Sequence, residues 1–212
     1  MTLSAIVINM DKRSDNWTYM QKEWGHIFDL QRMSAVDAQE HNIPPYAACR
    51  RSHIAAFRQA ILSPHAYSII MEDDIYKTAE WGAYWPKIRE FLDNDGAEWD
   101  FISFDPNLAC DEIVFSKYNS HLVKLDRFRN AGFIIYKNSF LRQYVDEFEK
   151  ATQVLDMSVT HDPRFTKLTP ATLLVRQRTD RVSDITGNIR SYYVHMYDKT
   201  AAMILDYVKS NS

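Results

Sequence analysis

The sequence predicts an α/β fold: a mostly parallel central sheet with helices on both faces. Over the first two-thirds of the chain, short apolar runs rich in β-branched residues alternate with amphipathic stretches of helical period. Such alternation is typical of parallel strands joined by crossover helices. The length of 212 residues and the 46% hydrophobic content suit one domain over residues 1–212, alone or within a longer protein.

The predicted strands are short apolar runs bounded by polar or turn residues. We place them at residues 4–10, 28–36, 66–72, 100–105, 132–137 and 171–177, with a hairpin over 112–118 and 121–125. The predicted helices carry apolar residues on one face. We place them at residues 15–26, 46–62, 81–94, 138–150 and 198–209, with Ser14 and Asn138 as caps of the first and fourth.

Acidic or amide residues follow four of the predicted strands. The first strand ends at Asn9–Asp11, the second at Asp37, the third at Glu72–Asp74 and the fourth at Asp105. In open α/β sheets, ligands bind beyond the carboxyl ends of the strands. The sequence therefore predicts a cleft at this edge that holds a cation, or a ligand rich in hydroxyl or amine groups.

The three consecutive acids after the third strand are the strongest local signal. A hard divalent cation binds carboxylate oxygens, and substrate phosphates complete its shell. By strand alternation Glu72 and Asp74 share one face and Asp73 faces the other. We expect Asp74 to bind the cation directly, Asp73 to lie near a ribose or an ordering arginine, and Glu72 to act through water or structurally. The alternative is a solvated surface turn.

Composition excludes several functions. With 25 basic and 28 acidic residues, the net charge of −3 gives no basic surface for nucleic acid. The five glycines form neither GxGxxG nor GxxxxGK[ST], which disfavours dinucleotide and P-loop sites. Cys49 and Cys110 are too few for a disulfide framework and lack structural-zinc spacing. Without a predicted membrane span or signal sequence, we expect a cytoplasmic protein.

Several stretches resemble, in order, the landmarks of the lipopolysaccharide-type glycosyltransferases of family 25, which include collagen galactosyltransferases. These are IVINMDKRSDNW, MSAVD, ACRRSHIAAFRQAI, AYSIIMEDD, AGFIIYK and PATLLVRQRTDRVSDI, and together they span about residues 4–190. The chain departs from the family at Ala48, where glycine is usual, at Met10, and in a short 150–170 region. The compact chain also resembles glycosyltransferases of large algal DNA viruses that modify capsid glycans.

The resemblance implies a GT-A fold and a metal-dependent glycosyltransferase. Mn²⁺ or Mg²⁺ would hold the diphosphate of a UDP-sugar, and the acceptor would be a glycan or glycoprotein. The implied metal ligands are Asp74, Glu72 and His195. The implied nucleotide-sugar contacts are Ile8, Asn9, Asp11, Arg13, Asp37, Arg51, Ser52 and Asp73. Ser52 and His53 are expected to hydrogen-bond the strand-end acids.

The family is understood to invert the anomeric configuration, which requires a carboxylate to deprotonate the acceptor hydroxyl. Asp162 in THDPRF best matches the family's aspartate, and Asp156 is the second candidate; either could instead cap a helix. Two other functions stay open. One is a metal-dependent phosphoesterase using the same acids. The other is a non-catalytic sugar-binding module, suggested by the 12 Tyr, 11 Phe and 5 Trp residues.

Overall fold

A computed structural model describes residues 3–93, 98–109, 112–152, 154–178, 180 and 191–211, without the side chains of 155, 156 and 191–193. The helices are α1 (Ser14–Trp24), α2 (Pro45–Ala60), α3 (Trp81–Leu92), α4 (Asn138–Lys150), α5 (Leu155–Thr160) and α6 (Ser191–Ser210). Among these described helices, none combines the length and the hydrophobicity that crossing a bilayer requires.

The strands form one large and one small sheet. They are β1 (Leu3–Asn9), β2 (Phe28–Ser34), β3 (Tyr67–Glu72), β4 (Ile75–Lys77), β5 (Phe101–Ser103), β6 (Phe115–Lys117), β7 (Leu122–Leu125), β8 (Phe133–Lys137), β9 (Lys167–Pro170) and β10 (Val175–Gln177). The eight-stranded sheet has the order β2-β1-β3-β8-β5-β9-β7-β6, and β10 pairs with β4.

Parallel strands form the core of the large sheet, which confirms the predicted fold class. β1 pairs in parallel with both β2 and β3, and β5 pairs in parallel with β9. The sheet is mixed because β8 lies antiparallel between β3 and β5, and β7 lies antiparallel to β9. β1, β2, β3 and β5 still point the same way, so their carboxyl ends share one edge as predicted.

Helices cover both faces of the sheet because alternate strand residues point to opposite sides. Ile6 and Ile8 of β1 belong to the buried cluster with Phe57 of α2. Ala5 and Val7 belong to the other cluster, which contains Trp24 of α1 and Trp81 of α3. That second cluster is strongly aromatic. The ring centroids of Trp24 and Trp81, for example, lie 4.9 Å apart in an edge-to-face arrangement.

Some predicted boundaries are wrong. β5 and β10 are shorter than the runs 100–105 and 171–177, while α6 begins seven residues before the predicted start. β4, β9 and α5 were not predicted, since elements of three, four and six residues are too short for a clear period. Ser14 and Asn138 are the first residues of their helices, not the caps. The Asn138 amide instead donates to the carbonyl of His65 at 2.9 Å.

Candidate active site

A cleft of about 200 Å³ lies at the carboxyl ends of β1, β2 and β3, against the first turns of α2. This is the edge at which α/β sheets bind ligands. The lining residues come from these strand ends, their following loops and α2: Ile8, Met10, Lys12, Arg13, Ala35, Val36, Asp37, Ala38, Gln39, Pro45, Ala48, Cys49, Ser52, His53, Glu72, Asp73 and Asp74. The cleft therefore brings together seven of the metal ligands and nucleotide-sugar contacts that the family resemblance implies: Ile8, Arg13, Asp37, Ser52, Glu72, Asp73 and Asp74.

Ser52 holds the loop that forms one wall of this cleft. Its hydroxyl accepts a hydrogen bond from the backbone N–H of Val36 at 2.8 Å and donates to the carbonyl of Ala48 at 2.9 Å. The N–H of Ala35 also donates to the carbonyl of Asn9 at 3.0 Å. Ser52 lines the cleft, and its hydrogen bonds to Val36 and Ala48 fix the wall. The predicted hydrogen bond from Ser52 to a strand-end acid is therefore wrong, because its hydroxyl already donates to Ala48.

Asn9 is fully buried behind the cleft and joins three segments. Its amide donates to the Asp73 carboxylate at 2.6 Å and to the carbonyl of Arg13 at 3.0 Å. Its carbonyl oxygen accepts a hydrogen bond from Arg32 at 2.6 Å. With all these groups engaged and no exposure to solvent, Asn9 orients Asp73 and the loop after β1 in this structure.

Asp73 and Asp74 occupy a turn between β3 and β4 and both line the cleft. The alternation expected for an extended strand does not apply, because β3 ends at Glu72. Burial raises the pKa of Asp73, although the Asn9 amide and the Arg13 charge oppose this. Asp74 is 2% exposed, and its backbone carbonyl accepts a 2.6 Å hydrogen bond from the N–H of Arg178.

Glu72 is held between two partners. One carboxylate oxygen lies 3.2 Å from His53 Nε2, and the other accepts a 2.9 Å hydrogen bond from the Gln177 amide. The predicted contact of His53 with a strand-end acid is therefore confirmed. Burial by itself would lower the pKa of His53, but the neighbouring Cys49 and Glu72 outweigh it and raise the pKa to about 10.

Asp105 follows β5 by two residues and is the predicted acid of the fourth strand end. It is fully buried and accepts hydrogen bonds from the N–H of Phe133 at 2.9 Å and from the Asn130 amide at 2.7 Å. Burial raises its pKa well above the ordinary value, and the charges of Glu72 and Asp74 add to the shift. Asp105 therefore lies close enough to Glu72 and Asp74 for their charges to affect its pKa. It is not among the residues that line the cleft.

Basic residues offset part of this negative charge. Lys12 donates to Asp37 at 2.7 Å, and this hydrogen bond lowers the pKa of Asp37. Asp11, a predicted nucleotide-sugar contact, is not among the lining residues and accepts hydrogen bonds from Arg32 and from Ser34, both at 2.8 Å. The cleft thus contains carboxylates, Lys12 and Arg13 together, a combination suited to a cation and a phosphate group.

Three of the remaining predicted residues, Arg51, His195 and Asp162, are not among the described residues that line this cleft. Arg51 is exposed on α2, and His195 is exposed on α6. The side chain of Asp156, on α5, lies outside the described residues. The Asp162 carboxylate is paired with Arg164 at 2.6 Å, which lowers its pKa, and its backbone carbonyl accepts a 2.6 Å hydrogen bond from Lys167 at the start of β9.

Sequence reasoning missed several residues of the site. Lys12 and Cys49 line the cleft, and Gln177 holds Glu72. The signal for Cys49 was its spacing of four residues from His53, which places both on one helical face. Gln177 lies 105 residues from Glu72, so no local pattern could have linked the two.

A divalent cation fits the donor chemistry of the cleft. Asp73 and Asp74 supply carboxylate oxygens within one small lining, which is the ligand type that Mg²⁺ and Mn²⁺ prefer. Both carboxylates are nearly buried, at 6% and 2% exposure, and burial is the main cause that raises the pKa of Asp73. A bound cation would stabilise both carboxylates in their charged form.

No protein-family model and no curated protein matches the chain, but solved structures do. A glycosyltransferase involved in glycosylation of the major capsid of PBCV-1 aligns with a TM-score of 0.53 at 11% identity, over 96% of this chain and 100% of that one. A197 from STIV aligns at 0.46 and 9% identity, over 80% and 81%. GlyE from Streptococcus pneumoniae TIGR4 aligns at 0.37 and 12% identity, over 76% and 36%. The first of these likenesses confirms the predicted GT-A fold.

Proposed function

We propose that this chain is a metal-dependent glycosyltransferase that moves a sugar from a UDP-sugar to a glycan or glycoprotein acceptor. The observation that carries the proposal is the cleft in which Asp73, Asp74, Lys12 and Arg13 meet beyond the parallel strands. The GT-A fold and the family 25 resemblance support the same reading. The PBCV-1 glycosyltransferase of similar fold is involved in glycosylation of a viral capsid. We therefore extend the proposal to a viral capsid glycoprotein as the acceptor and to a host cytoplasm as the location.

The side chains of the cleft have distinct proposed roles. Asp74, with Asp73 beside it, would hold Mn²⁺ or Mg²⁺, and the bound cation would stabilise negative charge on the departing diphosphate. Arg13 and Lys12 would bind phosphate oxygens. Ile8 and the loop containing Asp37 would contact the nucleoside. Glu72, whose two oxygens are already bonded to His53 and Gln177, would hold the turn of Asp73 and Asp74 in position.

The acceptor side requires a general base, and inversion with Asp162 as that base stays our prediction. In the described arrangement the Asp162 carboxylate could accept a proton only after leaving Arg164, because the ion pair lowers its pKa. Asp156 on α5 is the second candidate, and α5 packs against α2, the helix that lines the cleft. His195 as a further metal ligand is proposed on the resemblance alone.

The arrangement of aromatic side chains argues against a simple sugar-binding module. Such modules use exposed aromatic rings as platforms for sugars, yet the described lining of the cleft contains no Phe, Tyr or Trp. Trp24, Phe28, Trp81 and Phe133 pack on one another in the core instead. The abundance of aromatic residues is thereby explained by packing.

Nucleotide binding with and without metal tests the proposal. We expect UDP and UDP-sugars to raise the melting temperature when Mn²⁺ is present, since a ligand at 100 times its Kd adds about 2.7 kcal/mol of stability. EDTA should remove most of this shift. Asp74→Asn should abolish the Mn²⁺-dependent part, whereas Asp146→Asn, an exposed carboxylate on α4 with 72% side-chain exposure, should leave it unchanged.

Product analysis separates the proposed function from its alternatives. A transferase releases UDP only with an acceptor, whereas a phosphoesterase would release UMP and sugar phosphate from the donor alone. Absence of UDP binding, with or without Mn²⁺, would refute the proposal and favour a binding module. Equal UDP affinity in Mn²⁺ and in EDTA would refute the role of the metal while leaving nucleotide binding in place.

A further inference from the structure

A second cluster of potential metal ligands lines the cleft. Unlike the turn of Asp73 and Asp74, it offers sulfur and nitrogen atoms as well as a carboxylate oxygen. Cys49, His53 and Glu72 each offer one ligand atom, and these three atoms all lie within 4.8 Å of one another. Cys49 and His53 are four residues apart on α2 and therefore share one face of the helix. Glu72 reaches them from the end of β3, with its Oε1 only 3.2 Å from His53 Nε2.

The three atoms lie near enough to one another to bind the same zinc ion after small side-chain movements. Zn²⁺ binds sulfur at about 2.3 Å and nitrogen or oxygen at about 2.0–2.2 Å, which places tetrahedral ligand atoms about 3.3–3.6 Å apart. The separation between His53 and Glu72 already matches this spacing. His53 is 2% exposed, and its Nε2 faces the Glu72 carboxylate. Metal binding at Nε2 requires the neutral imidazole, so the cation would displace the proton at that nitrogen.

We infer that Cys49, His53 and Glu72 form a binding site for a thiophilic divalent cation, of which Zn²⁺ is the best match. Thiolate and imidazole ligands favour Zn²⁺ over Mg²⁺ or Mn²⁺, which prefer oxygen ligands. The site is therefore separate from the cation proposed at Asp74. All three residues line the cleft. Zinc sites with three protein ligands leave one position for water or substrate.

Cobalt substitution tests the site directly on the full chain. Co²⁺ bound to a thiolate gives a sulfur-to-metal charge-transfer band in the near ultraviolet, and tetrahedral Co²⁺ gives intense visible bands. We expect both bands to saturate at one Co²⁺ per chain and to disappear when Zn²⁺ is added. Cys49→Ser should abolish the charge-transfer band. Cys110→Ser, which changes the other cysteine of the chain, should retain it.

Zinc affinity, measured by competition with a chromophoric chelator, provides the second test. Cys49→Ser and His53→Gln should each weaken Zn²⁺ binding at least about 100-fold, because loss of a direct ligand exceeds the 10–100-fold effect of losing a supporting residue. Asp74→Asn should change Zn²⁺ affinity less than about threefold. Circular dichroism of each variant shows whether it is folded.

Three results would overturn the inference. These are a cobalt spectrum of the unaltered protein without a charge-transfer band, a band that persists in Cys49→Ser, or a Zn²⁺ affinity that falls in Asp74→Asn as much as in Cys49→Ser. The spectrum of the unaltered protein decides the question even if a variant fails to fold. The test is independent of transferase activity, so it can fail while the proposed function stands.

Discussion

The close packing of Gly132 against the buried Asp105 side chain can be tested quantitatively. A Cβ atom at Gly132 would lie 2.3 Å from Asp105 Oδ2 and 3.2 Å from Ile75 Cγ2. Ordinary carbon–oxygen contacts are about 3.3 Å or longer, so Gly132→Ala requires a displacement of about 1 Å. Asp105 cannot yield easily, because it is fully buried and bonded to Phe133 N–H and Asn130.

The expected loss follows from these bonds. Moving Asp105 by about 1 Å breaks or weakens two buried hydrogen bonds, and each buried polar group left without its partner costs about 1–3 kcal/mol. We therefore expect Gly132→Ala to lower the free energy of unfolding by about 2–5 kcal/mol, measured by urea denaturation with circular dichroism and tryptophan fluorescence. Gly82→Ala in α3 is the matched control. Its Cβ would meet nothing within 4 Å, so it should be neutral or stabilising by up to about 1 kcal/mol.

A double-mutant cycle identifies the cause of the loss. In an Asp105→Ala background the added methyl group has room, and Gly132→Ala should then change the free energy of unfolding by less than about 1 kcal/mol. An unchanged stability of Gly132→Ala in the original background would refute the reasoning. An equal loss in both backgrounds would show that the clash involves some group other than Asp105.

Three further predictions concern the cleft and the proposed base. Asp74→Asn should fold normally and lose about 10²-fold or more in turnover, because the amide keeps the shape but not the charge that holds the cation; near-normal turnover would place the metal elsewhere. Asn9→Ala should weaken UDP binding and lower stability by about 2 kcal/mol, since it leaves Asp73 and Arg32 without their buried partner; unchanged UDP affinity in calorimetry would contradict this. Asp162→Asn removes the pair with Arg164, so stability should fall by up to about 1 kcal/mol at neutral pH. Because the folded pKa of Asp162 lies below 3.8, the difference should be full above about pH 4 and vanish as the pH falls through the folded value. If Asp162 is also the base, kcat should drop 10²–10⁴-fold at constant donor Kd, and the product should show inverted anomeric configuration by NMR.

Local patterns in the sequence were sufficient for most of the sheet and for the edge at which the cleft lies. The strands β1, β2 and β3 begin and end within two residues of the predicted runs, since each is a continuous apolar segment that a polar residue terminates. Their parallel order follows from the intervening helices, and parallel strands bring their carboxyl ends together. The proximity of Asp37, Asp73 and Asp74 was therefore predictable without coordinates.

The directions of individual side chains were not predictable in this way. Asp73 turns into the cleft lining because β3 ends one residue earlier, so strand alternation gave the wrong face. Asn9 matched a nucleotide-binding motif, yet its contact with Asp73, across 64 residues of sequence, buries it. Asp162 was selected as a base from the segment THDPRF, and its ion pair is with Arg164 of that same segment. The partner that could not be read from this segment is Glu147 of α4, which also pairs with Arg164.

The sequence by itself determined which segments are strands and helices and where their polar ends meet, because periodicity and termination are local properties of the chain. Only the tertiary structure decided which polar groups are already satisfied. It joined Glu72 to His53 and to Gln177, and it brought Cys49 close to the same carboxylate. The reason is physical: burial and hydrogen-bond partners depend on segments that are distant in sequence, and these set the charge and the chemistry of a site.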